Sequence, residues 1–407
     1  MTRTENIVFS TLRVLEIAGE LGAYTGKMFA DLGADVIRIE GVDGDPTRKR
    51  KPYFNDIPGK ENSLRYQYLN TNKKSIVLDL NDTEARDIFL NLIRTSDLLI
   101  ESCPPGYLDK SGLGYEKLSQ LKPKLVHTAI TPYGQFGPNK DYPFSDLTCL
   151  AMGGMLYLAG IGDEKPARVA DNQSFFQADL YAAYASIVAV FHADSTGEGQ
   201  FIDVSIQESV ATALETAIQA FDLEGQIRRS SLMAGYGPYK CLDGYVYVIA
   251  IIAGMWNPLV NWLIEENIPD AQILTDDKWK SPKYLEKEEA ISTFKRIFET
   301  FAQRYPKQVL YEISQKRKIV IYPINTPKDI LENSQLIYRK FFKKMHVDSL
   351  GNDIVYPGAP YYLEKIPWRL KTAAPVFGQH TERILIELGY SMGTIVALVK
   401  RGAAYVK

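Results

Sequence analysis

Short apolar, β-rich runs alternate with helical patterns through the first third of the chain. The clearest helical pattern covers Asp82 to Thr95, where apolar residues recur every three or four positions. Strands are predicted at Leu12 to Ile17, Val36 to Glu40, Ser75 to Leu80, Leu98 to Glu101 and Leu125 to Ile130. Because strand, helix and strand in succession favour parallel pairing through crossovers, the pattern predicts an α/β fold with a Rossmann-like parallel sheet covered on both faces.

The pattern of predicted strands and helices changes near residue 225. Strand patterns there cover Tyr245 to Ile251 and Ile319 to Tyr322, and helical patterns cover Trp256 to Glu265 and Glu288 to Gln303. The mixture predicts a smaller α+β domain at 225–330. The large Rossmann-like domain would then consist of residues 1–224 and 331–407.

Composition narrows the class of protein. The 407 residues are 45% hydrophobic and 24% charged, which is ordinary globular material. A net charge of -2 gives no basic field for nucleic acid or anionic lipid, so neither is an expected partner. Three widely spaced cysteines form neither a disulfide framework nor a metal motif. No apolar run approaches the ~18 residues of a membrane span, so we expect a cytoplasmic protein with no membrane contact.

The first strand leads into a glycine turn that resembles a dinucleotide site. Gly19, Gly22 and Gly26 follow that strand, and the next strand closes on the acid Glu40. However, the spacing is GxxGxxxG rather than GxGxxG, so the turn favours a tight connection over nicotinamide binding.

Motifs along nearly the whole chain carry a resemblance to a known family. They are Leu32 to Glu40, Asn70 to Leu80, Glu101 to Lys110, Tyr133 to Pro138, Gly153 to Met155, Thr196 to Gln200, Tyr239 to Gly244 and Pro375 to Glu382. In this order they resemble the class III CoA-transferase (CaiB/BaiF-like) family, which includes formyl-CoA transferase, carnitine CoA-transferase and α-methylacyl-CoA racemase.

The resemblance implies that the large domain binds coenzyme A as a substrate, with no permanently bound cofactor. It also implies a homodimer of interlocked chains that acts on an acyl-CoA and a small carboxylic acid. Matching the family's CoA-contacting segments gives the following CoA-binding residues: Arg48, Leu78, Ser102, Cys103, Tyr107 and Lys110. Arg48 and Lys110 are cations suited to CoA phosphates.

The family's transferases use a nucleophilic aspartate at the start of the helix before the Thr196-Gly-Glu-Gly-Gln200 turn. This carboxylate attacks the acyl-CoA and forms a mixed anhydride and then a thioester. Ungapped counting from either flank puts Phe175 at that position. Ser174 with Gln177 reads as a capping box, which predicts that the helix begins at Phe175.

Three interpretations of the nucleophile therefore stay open. Asp171 reaches the site through a local insertion, because Val-Ala-Asp imitates the family's residue order. Alternatively Asp179, one helical turn beyond Phe175, points to the same face and substitutes for it. In the third interpretation no aspartate of this chain serves.

The family's racemase mechanism is disfavoured. That branch uses a histidine immediately before the aspartate corresponding to Asp146, and this chain has Ser145 there. A serine hydroxyl cannot act as a base near neutral pH. None of the four histidines has a metal-binding spacing such as HExxH, so no metal site is expected.

The leading hypothesis is an enzyme that moves CoA between an acyl-CoA and a carboxylic acid through an aspartyl intermediate. The alternative is a family member without the nucleophilic aspartate, which binds an acyl thioester and either hydrolyses, isomerises or cyclises it, or only binds it.

Overall fold

A computed structural model describes residues 8–160, 165–227 and 232–407. The chain divides into two compact units, Met1–Met155 with Arg168–Ile218 and Tyr338–Lys407, and Leu156–Ala167 with Gln219–Ile337. The domain division at residues 224 and 330 remains a prediction.

A seven-stranded sheet dominates the described part of the first unit. Its strands are β1 (Arg13–Ile17), β2 (Asp35–Glu40), β3 (Lys74–Leu78), β4 (Leu98–Glu101), β5 (Val126–Thr131), β6 (Phe201–Ser205) and β12 (Ala404–Tyr405). Their order is β12-β3-β2-β1-β4-β5-β6, and all pairs are parallel except β12 with β3. The order 3-2-1-4-5-6 is that of Rossmann sheets, which confirms the predicted fold class.

Helices connect the strands of the first unit and cover its sheet. They are α1 (Ala23–Asp31), α2 (Leu64–Leu69), α3 (Thr83–Arg94), α4 (Tyr107–Lys110), α5 (Tyr115–Leu121), α6 (Asp146–Met152), α8 (Gln173–Thr196), α9 (Ile206–Thr212), α17 (Thr381–Glu387) and α18 (Met392–Lys400). A hairpin of β10 (Phe342–Val347) and β11 (Asn352–Pro357) precedes α17. Three helices lie at or across the unit boundaries: α7 (Met155–Leu158), α10 (Ala217–Glu224) and α16 (Ser334–Tyr338).

Helix α3 shows why the sequence pattern located these elements well. Asp82 caps it by accepting a hydrogen bond from the Ala85 backbone N–H at 3.0 Å. Its periodic apolar side chains, Ala85, Ile88, Phe89, Leu92 and Ile93, are fully buried. The amphipathic pattern therefore corresponds to the face of α3 that packs on the core.

The second unit has its own sheet and core. Strands β7 (Tyr236–Cys241), β8 (Gly244–Ile249) and β9 (Val320–Pro323) pair antiparallel. The helices are α11 (Ala253–Glu265), α12 (Pro282–Leu285), α13 (Glu288–Ala302), α14 (Lys307–Lys316) and α15 (Pro327–Leu331). An aromatic cluster fills the core, for example Trp256 stacked on Trp279 with ring centroids 5.6 Å apart. The α+β character predicted for this region is confirmed.

A network of buried charges joins β1, β2 and the residue before β3 in the first unit. Glu16 on β1 forms ion pairs with Arg38 on β2 and with Lys73, whose Nζ lies 2.8 Å from Glu16 Oε2. Arg38 also pairs with Asp45, which lies beyond β2. A side chain at Gly26 of α1 would collide with Glu16, since a Cβ there would lie 1.7 Å from Oε2. Without this pairing, burial of each charge would lower the stability of the folded protein.

Helix α8 is long and apolar enough to cross a membrane on length and composition alone. A single helix of this kind is weak evidence for a membrane span, because core helices of soluble proteins meet the same criterion. Here α8 packs against α1, α9 and β5, and Ser186 is hydrogen-bonded to Thr128 of β5 at 2.7 Å.

The network makes Arg38 a sensitive position for stability. We expect Arg38→Met to lower the free energy of unfolding by about 3–5 kcal/mol, because Glu16 and Asp45 lose a buried cation. Urea denaturation measures the change. The exposed Arg94→Met is a matched control that should stay within about 0.5 kcal/mol of the parent. Equal stability of the two variants would contradict a structural role for the network.

Candidate active site

A cavity of about 750 Å³ opens at the carboxyl ends of the parallel strands. It is called the larger cavity below. Its walls come from the segments after β1, β2 and β4, from the start of α6 and from the segment before α8: Ile17 to Leu21, Ile39 to Gly41, Gly44 to Thr47, Arg50, Ser102, Cys103, Phe144 to Leu147, Arg168, Asn172 and Phe175. Strand order reverses between β1 and β4, and ligands of open α/β sheets bind at that switch point.

Internal ion pairs hold the loop after β2 at the edge of this cavity. Arg48 Nε donates to Glu40 at 2.7 Å, its Nη1 lies 2.8 Å from Glu61 Oε2, and its Nη2 donates to the Pro375 carbonyl at 3.0 Å. The guanidinium is buried and packs over the Tyr66 ring. Arg48 is thus engaged by protein partners, and its contact with CoA stays a prediction.

The other predicted CoA-binding residues divide into two groups. Ser102 and Cys103 line the larger cavity, and Ser102 Oγ accepts a hydrogen bond from Gly19 N–H at 3.2 Å. Burial raises the pKa of the Cys103 thiol, so it is neutral at physiological pH. The remaining three do not line this cavity: Leu78 is buried in β3, and Tyr107 and Lys110 lie on the exposed helix α4.

Two arginines that were not predicted from the sequence line the larger cavity. Arg50 follows the loop after β2 and has a mostly exposed side chain, and Arg168 lies in the exposed segment before α8. Neither belongs to a helix or strand, so no periodic pattern marks them. Their side chains add positive charge to the wall of the larger cavity.

A second, smaller pocket of about 350 Å³ adjoins the larger cavity. We call it the smaller pocket. Glu20, Asn172 and Phe175 line both spaces. The remaining walls come from the start of α1, from α2 and Pro52 before it, and from the N-terminal part of α8 with the segment before it: Tyr24, Pro52, Leu64, Arg65, Tyr68, Leu69, Asp171, Gln173, Phe176 and Asp179.

Phe175 occupies the wall shared by the two spaces. Its ring centroid lies 6.0 Å from that of Phe144 in the larger cavity. The helix begins at Gln173, so the predicted start at Phe175 is wrong. The predicted capping box is also absent, because Ser174 is inside the helix and both its N–H and its hydroxyl donate to Asp146 Oδ1, at 2.9 and 2.8 Å.

Asp171 lies on the rim of the smaller pocket, just before α8. Its side chain is 71% exposed, and its backbone is left-handed with φ 59°. Its Oδ1 is 3.3 Å from Nη2 of Arg65, which also pairs with Glu20. The carboxylate is accessible, and among the described residues its ion-pair partner is Arg65.

Asp179 is instead buried against the start of α1. Its two oxygens accept hydrogen bonds from the backbone N–H groups of Gly22 at 2.8 Å and Tyr24 at 3.1 Å. Burial raises the pKa of this carboxyl to about 7, although both N–H donors act in the opposite direction. The structure therefore separates the two candidate aspartates, one accessible and one enclosed.

The racemase position has a structural role. Ser145 caps α6 by accepting a hydrogen bond from Thr148 N–H at 3.2 Å. Within the described ranges, no group of three or more His, Cys, Asp or Glu side chains could hold a metal ion.

Comparison with known proteins gives the class of this chain. The family model described as CoA-transferase family III matches residues 10–381. Over 402 residues the chain is 45% identical to succinyl-CoA:(R)-benzylsuccinate CoA-transferase subunit BbsE of Thauera aromatica, covering 98% of each chain. It is 30% identical over 391 residues to a succinate–glutarate CoA-transferase of Agrobacterium fabrum, covering 93% of this chain and 95% of the relative.

A solved structure supports the fold. The CAIB/BAIF family protein from Brucella suis superposes with a TM-score of 0.84 at 24% identity, covering 94% of this chain and all of that one. This chain belongs to CoA-transferase family III. It is an enzyme of that family, whose members move CoA between an acyl-CoA and a carboxylic acid, as the leading hypothesis stated.

The buried carboxyl of Asp179 predicts a pH-dependent contribution to stability. The folded protein keeps a proton on this group up to about pH 7, whereas the unfolded chain releases it near pH 4. We therefore expect the stability of the parent relative to Asp179→Asn to fall as pH rises from about 4 to about 7, by at most about 1.4 kcal/mol per pH unit, and to level off above. Urea denaturation across pH measures it. A difference that is constant with pH would contradict the shifted pKa of Asp179, and the exposed Asp194→Asn is the control for the type of substitution.

Proposed function

We propose that this chain is a subunit of a CoA-transferase that takes CoA from succinyl-CoA and gives it to an aryl-substituted dicarboxylic acid such as (R)-benzylsuccinate. The observation that carries the proposal is the 45% identity, over nearly the full length of both chains, to a subunit with that activity in its name. The relative named for succinate and glutarate supports dicarboxylic acids as the substrate class. Coenzyme A acts here as a substrate, with no permanently bound cofactor.

The larger cavity is the proposed binding site of coenzyme A. Its volume falls within the range of about 300–1,000 Å³ typical of small-molecule sites. Arg50 and Arg168 supply cations for phosphate groups, and Ser102 and Cys103 supply a neutral wall. Tyr107 and Lys110 lie on α4, which follows Cys103 along the chain and does not line the cavity, and their contact with CoA remains part of the proposal.

Asp171 is the proposed nucleophile within this chain. Its carboxylate is accessible, whereas both oxygens of Asp179 are engaged by backbone N–H groups in a buried position. The Asp171 carboxylate attacks the thioester carbonyl, the CoA thiolate leaves, and a mixed anhydride forms. The thiolate then attacks the Asp171 carbonyl and releases succinate, which leaves an aspartyl-CoA thioester.

The acceptor acid completes the transfer by the reverse sequence. Its carboxylate attacks the aspartyl thioester and displaces the thiolate, giving a second mixed anhydride. Attack of the thiolate on the acceptor's carbonyl gives the product thioester and regenerates the Asp171 carboxylate. Arg65, which already pairs with Asp171, is placed to stabilise the charge that develops on these oxygens.

One observation favours a second candidate function. Phe175 forms part of the wall of both spaces at the position where transferases of the family have their nucleophile. In that case the chain binds substrates, and a second chain supplies the aspartate. The relative is itself named as a subunit, which supports assembly with another chain; the homodimer and the cytoplasmic location remain predictions.

Trapping the intermediate distinguishes these candidates. The assembled enzyme is incubated with succinyl-CoA, treated with hydroxylamine, and the labelled peptide is identified by mass spectrometry. We expect label on Asp171, and a loss of at least about a thousandfold in kcat for Asp171→Asn, because the covalent route is removed. Asp194→Asn, an exposed aspartate on α8, is the matched control. Label on another chain with none on Asp171 would support the second candidate.

The CoA site can be tested separately by calorimetric titration with CoA. We expect the double variant Arg50→Met/Arg168→Met to weaken CoA binding by about tenfold or more, since charge-assisted hydrogen bonds to phosphate are lost. The control Arg94→Met should bind CoA as the parent does. Unchanged affinity in the double variant would place the phosphates elsewhere.

A further inference from the structure

Aromatic side chains form one wall of the smaller pocket. The rings of Tyr24 and Tyr68 are stacked, with centroids 6.3 Å apart and planes 20° from parallel. Phe176 meets Tyr24 edge-on at 4.8 Å. Leu64 adds an aliphatic side chain to the same lining. Such a wall binds a planar apolar group, because aromatic rings pack favourably in stacked and edge-on arrangements.

Arg65 lines the same pocket. Arg65, on α2, has a side chain that is 23% exposed, and it pairs with Glu20 and Asp171. The planar guanidinium presents several donors in a fork that matches a carboxylate. The contact with Asp171 is the exchangeable one, because it is 3.3 Å long and its carboxylate is 71% exposed to solvent.

From this arrangement we infer that the smaller pocket is the acceptor subsite for an aryl-substituted dicarboxylate. The aryl ring packs on the wall of Tyr24, Tyr68 and Phe176, and Arg65 binds one carboxylate of the acid. The inference rests on the proposed function and adds to it the residues that select the acid. Glu20, Asn172 and Phe175 line both spaces, so an acid held here lies beside the larger cavity.

The charges of the pocket give the acceptor a reason to bind after the first half-reaction. Before that reaction, the carboxylates of Glu20 and Asp171 balance the two arginines Arg65 and Arg50, because Arg50 Nε lies 3.9 Å from Glu20 Oε2, so the cluster has no net positive charge for a dianion. Conversion of Asp171 into a thioester removes its negative charge and frees Nη2 of Arg65. The acceptor's carboxylate then takes the place that the Asp171 carboxylate leaves.

Binding measurements on the full chain test the subsite, with Asp171→Asn as a stable mimic of the uncharged state. Calorimetric titration compares benzylsuccinate with succinate, which lacks the ring, and with 3-phenylpropionate, which lacks the second carboxylate. We expect the affinity for benzylsuccinate to be at least about tenfold higher than for either analogue. Burial of the ring and a charge-assisted contact each contribute about a factor of ten to the affinity. We also expect Asp171→Asn to bind it more tightly than the parent.

Two further substitutions in the Asp171→Asn background locate the contacts. Arg65→Met should reduce the affinity for benzylsuccinate to that of 3-phenylpropionate. Leu64→Trp, which fills the pocket without removing a wall, should reduce it to that of succinate while succinate binding is unchanged. Thermal melting and CoA titration verify that each variant is folded, and Arg94→Met is the arginine control.

Each remaining outcome overturns the inference. These outcomes are no binding of benzylsuccinate, equal affinity for benzylsuccinate and succinate, or full affinity in either variant. Succinyl-CoA-dependent transfer by the assembled enzyme is measured in parallel. If transfer to benzylsuccinate persists while the binding pattern fails, the subsite is wrong and the proposed function stands. If the binding pattern holds but no transfer to any acid occurs, the proposed function fails and the pocket assignment stands.

Discussion

Buried ion pairs between neighbouring strands hold the first unit in the geometry on which its cavities depend. Glu16 on β1 is paired with Arg38 on β2 and with Lys73, and Arg38 reaches Asp45 in the loop that borders the larger cavity. A buried charge with a missing partner is costly, so each group holds the others in place. The loop after β2 and the glycine turn after β1 are thereby fixed at the strand ends, where the cavity opens.

A second set of buried ion pairs determines which cations of the loop after β2 are exposed. Arg48 belongs to a motif of the family, and its residue type suits a phosphate. In the folded chain, however, Glu40, Glu61 and the Pro375 carbonyl surround its guanidinium. Arg50, two residues further on, lines the cavity instead. Burial ties Arg48 to the fold, whereas the side chain of Arg50 is mostly exposed.

At the smaller pocket, one aspartate near the start of α8 holds the helix in place and another is accessible at the pocket rim. Asp179 ties this helix to the backbone of α1 from inside the protein, while Asp171 stays at the rim with Arg65. Phe175 lies between them in the wall of both spaces. The lining includes an aromatic wall, Arg65 and the accessible carboxylate of Asp171, and from these features we infer a subsite for an acid that carries both a ring and carboxylates.

Local patterns in the sequence were sufficient to predict the strands, the amphipathic helix α3, the α+β region and the family. Strand and helix periodicity depend on neighbours a few residues away, and motif order survives without any knowledge of packing. The roles of single charged residues were decided by tertiary structure. Glu20, Arg65 and Asp171 come from three separate segments and form one cluster only in the folded chain. The start of α8 was also decided there, because Ser174 bonds Asp146, 28 residues away, and does not cap its own helix.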